Sequence, residues 1–233
     1  MIIIVGENEI SSKLKEAAAA SCVDCEIAAS AAEVKDCDLV IVNAATEEER
    51  KAEVAAALEK TTGPVAARLR LEYACSYGKG LEAKNRIVGI RTMEADFIGK
   101  FIEITKTFDT DEETYAKAKG VLASFNERVA EVADVPGGIY YRILPLTINA
   151  GACLVSEGVT AEDVDKCCFY GANIKRPPLK TADELGVDYV YEVLSGIFEE
   201  IGRPAYRPSP LLKKMVNAGR TGKKAGRGFF EYN

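Results

Sequence analysis

Over its first 134 residues the chain alternates short, β-branched apolar runs with longer stretches of good helix formers. "IIIV", "DLVIVNAA" (38–45), "PVAARLRL", "RIVGI", "FIEITKT" and "VAEVAD" read as strands. Apolar residues at consecutive positions are what a strand buried on both faces requires. "EISSKLKEAAAAS", "TEEERKAEVAAALEKT" (46–61) and "DTDEETYAKAKGVLASFNERV" read as helices. Thr46 is placed to cap the second, with acids in its first turn, and Thr110 with Glu113 has capping-box spacing at the third. Strands joined by helices of this length need right-handed crossovers, so an α/β domain with a mostly parallel sheet is predicted over residues 1–134.

The pattern then changes. "VPGGIYYRILPLTINAGACLVSEG" is apolar on most sides, which predicts a helix buried all round. "TAEDVDKCC" and "TADELGVDYVYEVLSGIFEEIG" each open with a threonine followed by an acid, another capping signature, and Pro208 and Pro210 flank the start of "LLKKMVNAG". Residues 135–233 are predicted to form an all-α domain.

The chain has no histidine, so the commonest general base is missing and catalysis must use carboxylates, lysines, tyrosines or cysteines. Cys22 and Cys25 have the spacing of a metal or redox pair, but there is no second pair and no histidine to complete a zinc site. Plain core or loop cysteines are expected. Seven cysteines, an odd number, suit a reducing compartment. No apolar run reaches the roughly eighteen residues of a membrane span, and no targeting segment is recognisable, so a cytoplasmic protein is expected. The net charge of −6 argues against nucleic-acid binding, although Lys213 through Arg227 form a locally basic tail.

Several motifs together resemble the 3-hydroxyacyl-CoA dehydrogenase family. "PPLKTADELGVDYVYEVLSGIFEEIG" and "RPSPLLKKMVNAGRTGKKAGRGFFEY" are similar to its C-terminal helical domain, and "DVPGGIYYRILPLTINAGACLVSEGVTAEDVDKCC" to the link into that domain. The resemblance implies a Rossmann-like NAD domain, here shortened, followed by a helical dimerisation domain, with the acyl-CoA between them. In that family a histidine takes the proton of the substrate 3-hydroxyl, a glutamate orients it, and a serine and an asparagine hold the oxygen. Matched residue by residue, Arg91 stands at the histidine position and Glu103, twelve residues on, at the glutamate position. The His-Phe-Phe-Asn-Pro turn is replaced by Arg91 to Ala95, Tyr141 replaces the asparagine before Arg142, and "ARLRL" replaces the serine segment. An arginine keeps its proton, so a structural Arg91–Glu103 ion pair is expected.

The cofactor turn of such a domain needs three spaced glycines. Here the positions are Gly6, Asn8 and Ser11, with Glu7 and Glu9 beside them, and Glu26 is the only acid near the ribose position. Gly6 is therefore expected to be a vestige and NAD binding to be lost, leaving a CoA thioester as the remaining ligand. The predicted role is a non-catalytic member that pairs as a homodimer, or as a heteromer with an intact 3-hydroxyacyl-CoA dehydrogenase, or that binds acyl-CoA. Two alternatives keep chemistry in the cleft. One is an NAD-independent lyase, hydratase or isomerase using Arg91, Glu103 and Tyr141. The other is an active dehydrogenase with an atypical site or one completed by a partner.

Overall fold

The computed structural model describes residues 1–92 and 98–232. The chain divides into two compact units, Met1–Gly138 and Ile139–Asn233.

In the first unit, seven strands form one sheet in the order β2-β1-β3-β4-β5-β6-β7. They are β1 (Ile2–Val5), β2 (Cys25–Ala28), β3 (Leu39–Val42), β4 (Val65–Arg68), β5 (Ile87–Thr92), β6 (Phe101–Lys106) and β7 (Arg128–Glu131). All neighbours run parallel except β5 and β6. Ile4 pairs with both Ile27 and Ile41, so β1 is central to its end of the sheet. Because side chains alternate along a strand, Ile3, Val5, Val40 and Val42 face one core with Val54, Ala57 and Leu58 of α2 (Glu47–Lys60). Ile2, Ile4, Leu39 and Ile41 face the other, with Leu14 and Ala18 of α1 (Glu9–Ala20) and Ala118 and Leu122 of α3 (Glu112–Ala123). The continuous apolar runs reflect this double burial.

Thr46 and Glu49 make the full capping box of α2, at 3.2 and 3.0 Å. At α3 the predicted cap is displaced by one residue. Asp111 accepts from the Thr114 N–H at 2.6 Å, while Thr110 turns inward and donates to the Ile87 carbonyl, also at 2.6 Å. A buried carbonyl at the start of β5 takes the hydroxyl that the spacing assigns to the helix.

The second unit consists of α4 (Tyr140–Ser156), α5 (Ala161–Gly171), α6 (Pro178–Leu185), α7 (Val187–Ile201) and α8 (Pro210–Asn217). Thr160 caps α5 as predicted. The stretch read as one helix from Thr181 is two, broken at Gly186, and Thr181 bonds back to the Pro177 carbonyl. α4 is not buried all round. Ile143 and Leu154 are 61% and 44% exposed, while Ile148 and Ala152 are buried.

The C-terminal tail folds over α6. The buried Asp183 carboxylate accepts from the Phe229 and Phe230 N–H groups at 2.8 and 2.9 Å and from the Tyr232 hydroxyl at 3.1 Å. Lys213, Lys214, Lys223 and Lys224 are exposed to solvent. Burial outweighs the hydrogen bonds and holds the Asp183 carboxyl above its ordinary 3.8. A carboxyl raised in the folded state adds stability below its unfolded pKa, and this is lost as pH rises through the folded value. Asp183→Asn, which removes an acceptor set worth about 1–3 kcal/mol, is therefore expected to cost more stability near pH 4 than near neutrality. Urea unfolding of both proteins at the two pH values checks this, and an equal deficit at each would contradict it.

Candidate active site at the carboxyl edge of the sheet

The parallel strands end together at one edge, and the order reverses between β1 and β3, where open α/β sheets leave a crevice for ligands. Gly6 follows β1 there with φ +105°, and a Cβ on it would lie 2.8 Å from the Asn43 carbonyl oxygen. Only glycine fits this turn. Asn8 and Ser11 are folded into it. Asn8 Oδ1 accepts from the Ser11 N–H at 3.1 Å and from Asn43 Nδ2 at 2.8 Å, and Asn8 Nδ2 donates to the Asn43 carbonyl at 2.8 Å. Ser11, fully buried, donates to the Gly6 carbonyl at 2.6 Å and so packs α1 onto β1 where the third glycine would stand.

Arg68, at the end of β4, extends this network. Its Nε donates to Thr92 Oγ1 at 2.9 Å and its Nη1 to Asn43 Oδ1 at 3.2 Å. The side chain is half-buried, and both of these partners are neutral. Sequence reasoning missed this residue because it looked for lost hydroxyls in "ARLRL". The available signal was a cation closing an otherwise apolar strand.

Behind it, Arg50 is ion-paired with Glu72, donates from Nε to the Tyr77 hydroxyl at 3.1 Å, and holds the Ala44 and Ala45 carbonyls. Burial and the nearby Glu72 carboxylate push the Tyr77 hydroxyl up to about 12. Burial alone would raise Glu72, but the Arg70 N–H and Arg50 outweigh it and hold its carboxyl below the usual range.

Antiparallel register places Arg91 directly opposite Glu103, so the structure brings these two predicted residues together. They are 2% and 1% exposed. Arg91 Nη2 donates to the Glu72 and Val135 carbonyls at 3.1 and 2.8 Å. Gly138, with φ +52°, lies so close that a Cβ on it would overlap Glu103 Oε2 and come within 3.0 Å of Arg91 Cδ. Tyr141 belongs to the other unit, buried in α4 with its ring edge-on to Tyr140. Met93 to Ala95, matched to the family's turn, lie outside the described residues. Cys25 lies on β2, its thiol pushed up to about 11 by burial, and Cys22 is exposed.

The family model described as "3-hydroxyacyl-CoA dehydrogenase, C-terminal domain" matches residues 137–232. The 3-hydroxybutyryl-CoA dehydrogenase of Bradyrhizobium diazoefficiens is 31% identical over 204 residues, 86% of this chain and 70% of that protein. The chain belongs to the 3-hydroxyacyl-CoA dehydrogenase family. A probable 3-hydroxybutyryl-CoA dehydrogenase of Bacillus subtilis is 34% identical over 148 residues, and that match spans about half of the Bacillus protein, 52%. The fold matches the crystal structure of (S)-3-hydroxybutyryl-CoA dehydrogenase from Ralstonia eutropha with a TM-score of 0.92 at 20% identity, over 100% of this chain and 98% of that one.

These relatives overturn two expectations. The chain was expected to lack dehydrogenase activity and to have lost its cofactor, yet its homologues at 31–34% identity are named dehydrogenases. The physical reason is visible at the turn. Gly6 is under full steric constraint, and the Asn8 and Ser11 side chains are bonded inward. The first-turn N–H groups of Glu9 and Ile10 have no acceptor within the helix, as any helix start leaves them, and such a start receives a phosphate. The turn therefore fits a pyrophosphate. Glu26, the acid nearest the expected ribose position, sits exposed at the second residue of β2, 3.7 Å from Lys35. Gly6→Ala is expected to destabilise the chain by about 1–3 kcal/mol, read as a lowered urea midpoint with unchanged slope. An unshifted midpoint would show that the turn tolerates a Cβ.

Proposed function

We propose that the chain is an active 3-hydroxyacyl-CoA dehydrogenase with an atypical site, acting on short-chain 3-hydroxyacyl and 3-oxoacyl thioesters with NAD. The observation that carries this reading is the relationship to the Bradyrhizobium dehydrogenase across 86% of the chain. The constrained Gly6 turn at the β1–β3 crevice supports it. NAD, when bound, exchanges a hydride with C3 of the substrate.

The chain's own residues divide the remaining work. Gly6 and the first turn of α1 would hold the pyrophosphate. Arg91 stays protonated at any working pH and fixes the segment around Val135 through its carbonyl. Glu103, buried opposite Arg91, supports that arrangement and is shielded from substrate. No histidine titrates, so the proton on the 3-oxygen is exchanged with water. The helical unit pairs with a second copy through the exposed apolar face of α4, which carries Ile143, Ala150 and Leu154. Seven cysteines, an odd number, support a cytoplasmic setting.

The lyase alternative loses its support from geometry, because Arg91, Glu103 and Tyr141 are all buried. The test follows NADH absorbance with acetoacetyl-CoA, and the reverse reaction with 3-hydroxybutyryl-CoA. Turnover in both directions is expected, and its rate is expected to show no inflection near the histidine pKa of about 6.5. Absence of turnover in both directions would defeat the reading.

A further inference from the structure

The mechanism above assigns nothing to hold the substrate's C3 oxygen, since the residues matched to the family's histidine, serine and asparagine are Arg91, the "ARLRL" segment and Tyr141. At the carboxyl edge of the sheet Arg68 stands apart, among the described residues, from the salt-bridge networks. Arg50 is ion-paired with Glu72, and Arg91 stands opposite Glu103 in the β5–β6 register. Among the described residues Arg68 bonds only neutral oxygens, Thr92 Oγ1 and Asn43 Oδ1. Holding a half-buried guanidinium without a carboxylate costs desolvation that neutral oxygens offset only in part. A negatively polarised oxygen arriving there would lower that cost further.

Two features make this a built position. Arg68 is held from both sides, by a hydroxyl on β5 and a carboxamide after β3. Asn43 is itself fixed by Asn8 and Ser11, so the guanidinium is tied to the Gly6 turn through one continuous set of hydrogen bonds. Arginine offers five N–H donors, and the two protein bonds use Nε and Nη1, leaving Nη2 uncommitted among the described residues.

We infer that Arg68, oriented by Thr92 and Asn43, binds the C3 oxygen of a 3-oxoacyl thioester. The inference rests on the acyl-CoA part of the proposed function and goes beyond it by naming the residue that reads the 3-oxo group. A guanidinium favours the oxygen that carries partial negative charge, so affinity should depend on that oxygen and far less on the remainder of the thioester.

Equilibrium binding of acetoacetyl-CoA and of butyryl-CoA, which lacks the 3-oxygen, tests this without turnover. The wild-type protein should prefer acetoacetyl-CoA by about tenfold or more, the scale of one charged hydrogen bond. Arg68→Met should abolish the preference and leave butyryl-CoA affinity unchanged. Thr92→Val, which keeps the cation but frees its Nε, should reduce the preference partway, and Arg68→Lys should do the same. If Arg68→Met fails to fold, these two variants read the same quantity. An equal preference in wild type and variants, or none in wild type, would overturn the inference. A wild-type preference that Arg68→Met removes, found without NADH turnover, would uphold Arg68 while defeating the dehydrogenase reading. Binding of neither thioester would defeat the acyl-CoA reading and this inference with it.

Discussion

The close approach of Gly6 to the backbone of Asn43 sets the geometry on which the first unit's polar edge depends. β1 lies between β2 and β3, and the chain must leave it and turn at once into α1. Without a Cβ at residue 6 the turn sits against the Asn43 carbonyl, and every later contact follows from that distance. Asn8 can then reach Asn43, Asn43 can reach Arg68, and Arg68 can reach Thr92. Four strand ends are tied by side chains as well as by the ladder. A one-residue shift in β3 would undo this and would also turn its apolar side chains to the opposite faces.

Charge on this edge is handled in two ways. Arg50 and Glu72 form a buried ion pair whose spare donors and acceptors go to Tyr77, to the Ala44 and Ala45 carbonyls and to the Arg70 N–H. A pair satisfied so completely is structural, because removing either partner strands a buried charge. Arg68 is bonded but, among the described residues, meets no carboxylate. The difference between these two arginines is chemical: Arg50, on α2, faces an acid, whereas Arg68, at the end of β4, faces a hydroxyl and a carboxamide.

Much of the fold was legible because its determinants are local or periodic. Consecutive β-branched residues announced β1, β3 and β5, and the Thr46–Glu49 box announced α2. Failures came where tertiary partners compete for a residue. Thr110 had the right spacing for a cap, but the Ile87 carbonyl needed its hydroxyl. Gly186 lay inside a helical pattern and broke it. At the site, Arg91 and Glu103 were found by matching positions, and their burial together follows from strand register. Asn8 and Ser11 were misread because a residue type shows that a side chain exists, not that it folds back onto Asn43. Arg68 was missed because its meaning depends on neighbours 25 and 24 residues away in sequence.

Gly138 carries a consequence for how such chains can change over time. Its missing Cβ is the space that Glu103 Oε2 and Arg91 Cδ occupy. Positions 91, 103 and 138 therefore share a single volume, though they lie on two strands and a distant turn. An exchange at any one of them is felt at the other two, so histidine at position 91 is not one substitution away from a family-like site. Lineages that keep Arg91 are expected to keep Gly138 with it, and the two should be gained or lost as a set.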